Sequence, residues 1–336
     1  MSTATLPTRT DVDALPAVPD GIVADQRTAS QLHEIAIPLR ELSKLSSARS
    51  LRGLAFDWSV IVSCFVLALK FPHPLVWICC AVAIAARQHG LLILMHDASH
   101  FRLLSHRKWN DRVSNWLCAW PLLVSTEGYR HNHLAHHFHL NTDEDPDWIR
   151  KDGKEDWRFP KTKFGVAMLL LRELCGGGFL QALASIRDLS GTKLRAAKEK
   201  TPAWQRFAYF AVAAGIITWN GMWVPVLLLW FLPAFTILTV ILRVRSIAEH
   251  FGVEGENHLN MSRNLHARWW ERFLFAPHNS GYHLDHHLYP SVPFYNLPRL
   301  HELLKTVPEY VQSSHQTTGF VAGSRSSFLQ EITAKA

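Results

Sequence analysis

Four apolar blocks interrupt an otherwise charged chain, and they limit its fold more than any other feature. They are Leu54 to Phe71, Leu75 to Met95, Trp204 to Trp219 and Met222 to Val244. Each approaches the roughly 20 residues that a helix needs to cross a hydrocarbon core. In lipid every backbone polar group must be bonded within its own segment, so such blocks are read as helices. Pro72-His73-Pro74 alone separates the first two, and Asn220-Gly221 the last two. Breaks so short allow a tight turn and nothing longer. The sequence therefore predicts an all-α integral membrane protein with four transmembrane helices in two hairpins.

The remaining segments arrange themselves around those hairpins. Residues 1–45 read as a flexible arm rich in Pro, Thr, Ala and Asp, ending in a short helix from about Ala29 to Leu45. No apolar region with a cleavage site follows the start, so a secretory signal is not expected. Residues 46–311 are expected to form one membrane-embedded domain around the four blocks, and the Ser/Thr/Gly-rich residues 312–336 are expected to be a loose tail. Trp109, Val113, Trp116, Leu117 and Trp120 recur at helical spacing, which suits a helix lying in the membrane interface or packed on the soluble part. Phe164 to Leu171 is apolar but short, and it runs into Arg172, Glu173 and three glycines; it is not expected to cross.

Charge then orients the hairpins. The formal net charge is +7, and almost none of it lies in the short turns between paired blocks, Lys70 excepted. The loops 96–203 and 245 onward carry the Lys and Arg residues. The positive-inside rule places those loops and both termini in the cytoplasm, as a helical cap on a bacterial inner membrane, or on the endoplasmic reticulum in a eukaryote. Nucleic acid is not an expected partner: the chain has no RNA-binding motif, zinc-finger spacing or basic recognition helix. Cys64, Cys79, Cys80, Cys118 and Cys175 form no C-x-x-C pair, which disfavours both disulfides and cysteine metal sites.

Histidines mark the chemistry. Gly281 to Pro290 reads GYHLDHHLYP and holds His283, His286 and His287; the same H-x-x-H-H spacing occurs at His133, His136 and His137. His96 and His100 form a shorter pair in HDASH. On a helix, positions i, i+3 and i+4 share one narrow arc, so each cluster aims its imidazoles at one place. The adjacent pairs His136/His137 and His286/His287 diverge enough to serve two metals. Eight ligands exceed the three or four that one tetrahedral zinc takes, which implies two adjacent ions; His250, in RSIAEH just after the fourth block, is a ninth candidate. Imidazole alone suits iron, zinc, copper or nickel. His89, His131, His139 and His278 are expected to contact ligand rings, and Asp97 and Asp285 are placed to orient them. No role is expected for His33, His73, His106, His258, His266, His301 or His315.

HDASH, HNHLAHH followed by NT and DPD, RSIAEH and GYHLDHHLYP together resemble the three histidine boxes of the membrane fatty acid desaturase family. The resemblance covers roughly residues 50–305 in box order, spacing and placement relative to the hairpins. It implies a non-haem di-iron (Fe2+) centre that uses dioxygen at the cytoplasmic mouth of a tunnel for an acyl or related aliphatic chain. The implied iron ligands are His96, His100, His133, His136, His137, His283, His286 and His287, with His250 as the ninth. Two departures separate the chain from the animal acyl-CoA branch. Three residues, not four, lie between His96 and His100, and Ser246 stands where that branch has an Asn. An acyl-CoA preference is therefore not carried over.

The expected reaction is insertion of a double bond into a fatty-acyl or related aliphatic substrate. The alternatives on the same scaffold are hydroxylation, terminal-alkene-forming decarboxylation, or desaturation of a small non-lipid metabolite. A non-redox membrane metal-binding protein is a distant alternative, since transporters place ionisable ligands inside spans. The reaction consumes two electrons, and the sequence shows no haem domain, iron–sulfur cysteine set or G-x-G-x-x-G. The expected donor is an external carrier, a ferredoxin or small cytochrome drawn to the basic surface, with membrane lipid as the other partner.

Overall fold

A computed structural model of the chain describes residues 36–189, 201–253, 258–321 and 327–333. It is mostly helical, with two short strands among those residues. A helical segment at 36–42 leads into α1 (Ser47–Lys70). Helix α2 (Pro74–Ser99) begins on Pro74, whose missing N–H costs nothing at a first helical position, and His73 Nδ1 accepts from Leu75 N at 3.2 Å. These two helices pack as a hairpin, and Trp77 Nε1 donates to Ala68 O across the turn. On α1, Phe56, Val62, Val66 and Leu69 remain exposed, as a lipid-facing surface would. Helix α2 is the central rod, with 67% of its most apolar stretch buried. Its 26 residues span about 39 Å at about 1.5 Å per residue, longer than a hydrocarbon core of about 30 Å.

The middle of the chain continues through α3 (Arg107–Ser114), α4 (Thr126–Phe138), α5 (Lys163–Arg172) and α6 (Phe179–Leu189). The Trp109–Trp120 stripe is divided: α3 passes through a wider turn at Asn115–Ala119 into a tighter one at Trp120–Leu122, Trp109 stays exposed and Trp120 is buried. Helix α7 (Ala203–Trp219) buries none of its residues and turns through Gly221 (φ 62) into α8 (Trp223–His250). Helix α8 is one long run with a wider turn at Leu227–Phe231 and a break at Thr236.

Among the described residues three helices, α1, α2 and α8, are long and apolar enough to cross a membrane. The fourth candidate differs from the expectation. Helix α7 has 17 residues, about 25 Å, which is short of a core. The segment 163–188 instead joins two apolar helices bent by 68°, a broken span or a re-entrant loop. The bend falls where the sequence interrupts itself: Gly176 takes φ 86, and the Glu173 carboxylate is buried against Arg243.

Beyond α8 lie β1 (Arg263–Leu265), α9 (Trp269–Leu274), α10 (His283–Leu288), α11 (Leu297–Leu304), α12 (Pro308–Ser313), β2 (His315–Thr317) and α13 (Phe328–Ile332). Strands β1 and β2 pair in parallel, with Asn264 opposite Gln316. The expectation of a loose tail over 312–336 fails where that tail is described. Phe320, Phe328 and Ile332 are buried with Trp157, Ile247 and Phe251, and Lys161 N donates to Ile332 O at 2.9 Å. Its Ser/Thr/Gly composition concealed three large apolar side chains that find partners far away in sequence.

Candidate metal centre

Four separate elements deliver the histidines. His96 lies in the last turn of α2 and His100 is its C-terminal cap; His133, His136 and His137 end α4; His250 ends α8; and His283, His286 and His287 are on α10. Local chemistry fixes each end. Ser125 Oγ caps α4 by accepting from Gly128 N at 3.0 Å. Arg130 on α4 donates to the carbonyls of Ser99 and Ala98 at the end of α2, at 2.8 and 2.9 Å, while Asp111 holds its guanidinium. The second box is thereby fastened to the end of the first. Helix α10 follows Gly281, where a Cβ would stand 2.4 Å from Leu265 O, so only glycine lets the third box approach β1. Leu265 N donates to Gly281 O at 2.7 Å across that contact.

All nine rings converge, and seven are buried, His137 and His287 being half-buried. They fall into two groups. Donor atoms of His96, His100, His133, His137 and His286 lie within 4.8 Å of one another, as do those of His136, His250 and His287. His283 joins the second group, its Nε2 being 2.9 Å from that of His250 and 3.0 Å from that of His287. In the first, Nε2 of His133 lies 2.9 Å from that of His100 and 3.0 Å from that of His137. Two nitrogens about 2.1 Å from one cation and at right angles stand about 3.0 Å apart, so the spacing suits metal coordination. His96 Nε2 is buried with no hydrogen-bond partner, a further sign that the pocket suits a cation.

The electrostatics agree with that fit. Burial pushes the pKa of His133, His283, His286 and His287 well below the usual imidazole value, with neighbouring rings adding to the effect. Burial and then His136 bring His137 down to about 3. Neutral imidazole is the form that binds metal. His136 Nδ1 contacts Asp145 Oδ2 at 2.8 Å. Burial alone would raise that carboxylate's pKa, but the His136 contact and two backbone N–H donors hold it below normal. Glu249 Oε1 lies 3.4 Å from His283 Nδ1 and accepts from Arg245 Nε at 2.6 Å. Tyr129 OH lies 3.4 Å from His133 Nδ1.

Asp145 and Glu249 were not singled out from the sequence as orienting groups. The signal was present: Asp145 sits in the acidic run after the second box, and Glu249 adjoins His250. Asp285, expected to orient ligands, does not. Two residues after His283 it points about 200° away, and it binds His301 Nδ1 at 3.0 Å, Asn264 Nδ2 at 2.8 Å and the Tyr310 hydroxyl. Asp97 Oδ1 is 3.5 Å from His96 Nδ1, too long for a well-formed hydrogen bond, and its Oδ2 accepts from Phe294 N at 2.9 Å.

The four histidines expected beside the ligands lie elsewhere. His278 bonds Asp57 at 2.6 Å, His139 bonds Glu144 at 3.0 Å, His131 is exposed and His89 is buried within α2. Among the described residues no hydrogen bond joins any of them to a box imidazole. Of the histidines given no role, His73 caps α2, His301 holds Asp285 and His33 lies outside the described residues.

A cavity of about 780 Å3 opens onto His133, His136, His250 and His283. Leu92, Met95, Leu122, Trp230, Leu238 and Leu242 supply apolar lining. Its volume lies within the usual range for a small-molecule site.

A helical fold with several membrane-length helices, gathered around a nine-imidazole pocket beside a partly apolar chamber, defines the class as a histidine-box membrane protein. Comparison with known proteins makes this specific: the fatty acid desaturase family model matches residues 72–318, and the chain belongs to that family. It is accordingly an oxidoreductase. The chain is 27% identical to a dihydrorhizobitoxine desaturase of Bradyrhizobium elkanii, over 80% of this chain and 79% of that one. It is 25% identical to a beta-carotene ketolase of Paracoccus sp. (strain PC1), over 68% and 80% of the two chains. To an sn-1 acyl-lipid omega-3 desaturase (ferredoxin) of Nostoc sp. (strain 36) it is 23% identical, over 68% and 67%.

Proposed function

We propose that this chain is an oxygen-dependent di-iron desaturase acting on a fatty-acyl or related aliphatic substrate. The observation that carries the reading is the pair of imidazole groups, five and four rings, bordering a chamber lined in part by hydrocarbon side chains. His96, His100, His133, His137 and His286 would hold one iron, and His136, His250, His283 and His287 the other. Bound there, iron would supply with dioxygen what no side chain has, the power to take hydrogen from an unactivated methylene. The protein's own part is placement. Asp145 fixes the tautomer of His136, so that its Nε2 faces the centre, and Glu249 places a carboxylate 3.4 Å from His283 Nδ1. Leu92, Met95 and Leu238 hold an aliphatic chain against the rings and keep water away.

The proposal extends to topology. Helices α1/α2 and α7/α8 make two hairpins, with α7 tilted little because it is short, and 163–188 folding back without crossing. The cap, the centre and both termini then lie on the cytoplasmic side, and a ferredoxin or small cytochrome supplies electrons. The named carrier of the Nostoc relative supports the first of these donors. Labelling of single cysteines placed at Lys70 and Asn220 should occur only from the outer face; labelling from the inner face would reject the arrangement.

The test of the reaction is expression, iron analysis, and mass spectrometry of lipids and small metabolites in the host. The expected product is lighter than its precursor by two hydrogens. The ketolase relative supports a second reading, oxygenation of the same kind of carbon; a product carrying added oxygen would establish that one and reject desaturation.

A further inference from the structure

Helix α4 has two working sides. Tyr129, Asn132, His133 and His136 turn toward the chamber. His131 and Phe138 lie about 160° round the helix from that set, and both are exposed, Phe138 by 70%. An aromatic ring left uncovered at the edge of a metal centre adds nothing to folding, and it is a residue type that protein contacts favour.

The centre comes to the surface beside this side of α4. Of its nine rings, His137 and His287 are the half-buried ones, and neither lines the chamber. They stack on each other, with ring centroids 4.2 Å apart and planes at 24°. His137 belongs to the five-ring group and His287 to the other. One partly uncovered pair therefore reaches both prospective iron positions. Electron transfer between proteins slows steeply with distance, so a carrier has to dock where the centre is least covered.

Charge marks the same edge. The His100 ring is 4.8 Å from that of His137, and the segment after it, Phe101 to Arg112, has four Arg or Lys and one acidic residue, Asp111. Asp111 is engaged by Arg130, which stands two turns before His137 on the same side of α4. Arg107 Cζ lies 4.3 Å and Arg130 Cζ 3.8 Å from the centroid of the Phe101 ring, so both cations sit against the neighbour of a ligand. Lys108 is exposed.

We propose that His137, His287 and Phe138, bordered by Arg102, Arg107 and Lys108, form the docking surface for an acidic one-electron carrier protein, whose electrons enter through the stacked ring pair. This rests on the di-iron function proposed above and adds where its reductant binds. Each encounter oxidises one carrier and reduces one ferric ion to ferrous; two encounters supply the two electrons of a turnover.

The test uses the full-length, iron-loaded protein in phosphatidylcholine nanodiscs, with a reduced acidic two-iron ferredoxin as the probe. Stopped-flow absorbance follows ferredoxin oxidation, and dithionite, which needs no docking, is the reference reductant. Arg107→Glu/Lys108→Glu should slow reduction by ferredoxin about tenfold or more and leave reduction by dithionite unchanged. Phe138→Ser should slow the ferredoxin reaction about threefold. The wild-type rate should fall as salt rises, and the double variant should lose most of that dependence. The Kd of ferredoxin for iron-free protein should weaken in step, and Lys163→Glu on α5, the control, should change nothing. Iron content is measured on every sample; should the double variant lose iron, Lys108→Glu alone decides. Unchanged ferredoxin rates in the iron-replete variants, or a loss seen only in discs that contain anionic lipid, overturn the docking surface and leave the di-iron reading standing. A wild-type protein that takes up no iron overturns the proposed function and this inference with it.

Discussion

The two halves of the histidine cluster are built differently. The five-ring half draws on α2, α4 and α10 and lends one ring, His133, to the wall of the chamber. The four-ring half draws on α4, α8 and α10 and lends three, His136, His250 and His283. Only the second has carboxylates within 3.4 Å of its rings' outer nitrogens, Asp145 and Glu249, among the described residues. The half with fewer rings thus faces the space where a substrate would lie, with room for another ligand. The half with more rings meets that space through His133 alone.

The largest expected effect separates the halves directly. His136→Ala and His137→Ala should both abolish turnover. Iron per chain should fall from two to about one in His136→Ala, which leaves three rings, and by less in His137→Ala, which leaves four. Equal iron loss, measured by elemental analysis, would erase the distinction. Next come the carboxylates: Asp145→Asn and Glu249→Gln should weaken iron binding about 10- to 100-fold, as removal of such partners commonly does. Chelator competition reads this, and an unchanged affinity would show the contacts to be incidental.

Acidity should act on both halves alike. Burial keeps His133, His137, His283, His286 and His287 uncharged in the folded protein, with His137 at about 3. Unfolded, the same rings take up protons below about pH 6.5. The unfolded state then binds more protons, so stability of the iron-free protein is full above about 6.5 and falls as pH drops from there toward 3. A melting temperature that stays flat between about pH 8 and pH 5 would contradict it. The smallest effect is expected outside the cluster. His315 bonds Glu331 at 3.1 Å on β2, so His315→Ala should cost at most about 1 kcal/mol and leave iron content unchanged.

Much of the centre was readable because helical periodicity is local. Spacing of four residues puts His133 and His137 on one face, and the 100° step between neighbours sends His136 to the other group. The same step separates His286 from His287. What escaped depends on contacts between distant segments. Asp285 looked like a partner for its neighbours until α10 turned it toward Asn264 and Tyr310. The tail looked loose because its partner strand, β1, lies some fifty residues earlier, and no local pattern announces a three-residue parallel pair. Span counting was legible for α1, α2 and α8; α7 and the bent 163–188 segment sit near the limit of length, where composition does not decide.

One contact has a consequence for how this protein can be dissected. Asp57 of α1 receives Arg87 Nη1 of α2 at 3.0 Å and His278 Nε2 at 2.6 Å, and Gly90 is tight against that carboxylate. His278 takes φ 51 in the short turn that precedes the third box. A membrane hairpin and a segment two hundred residues later thus share one enclosed ion cluster. A fragment that lacked α1 and α2 would keep His278 and lose Asp57 and Arg87, two of the cluster's three members, so the turn before the third box depends on the first two helices.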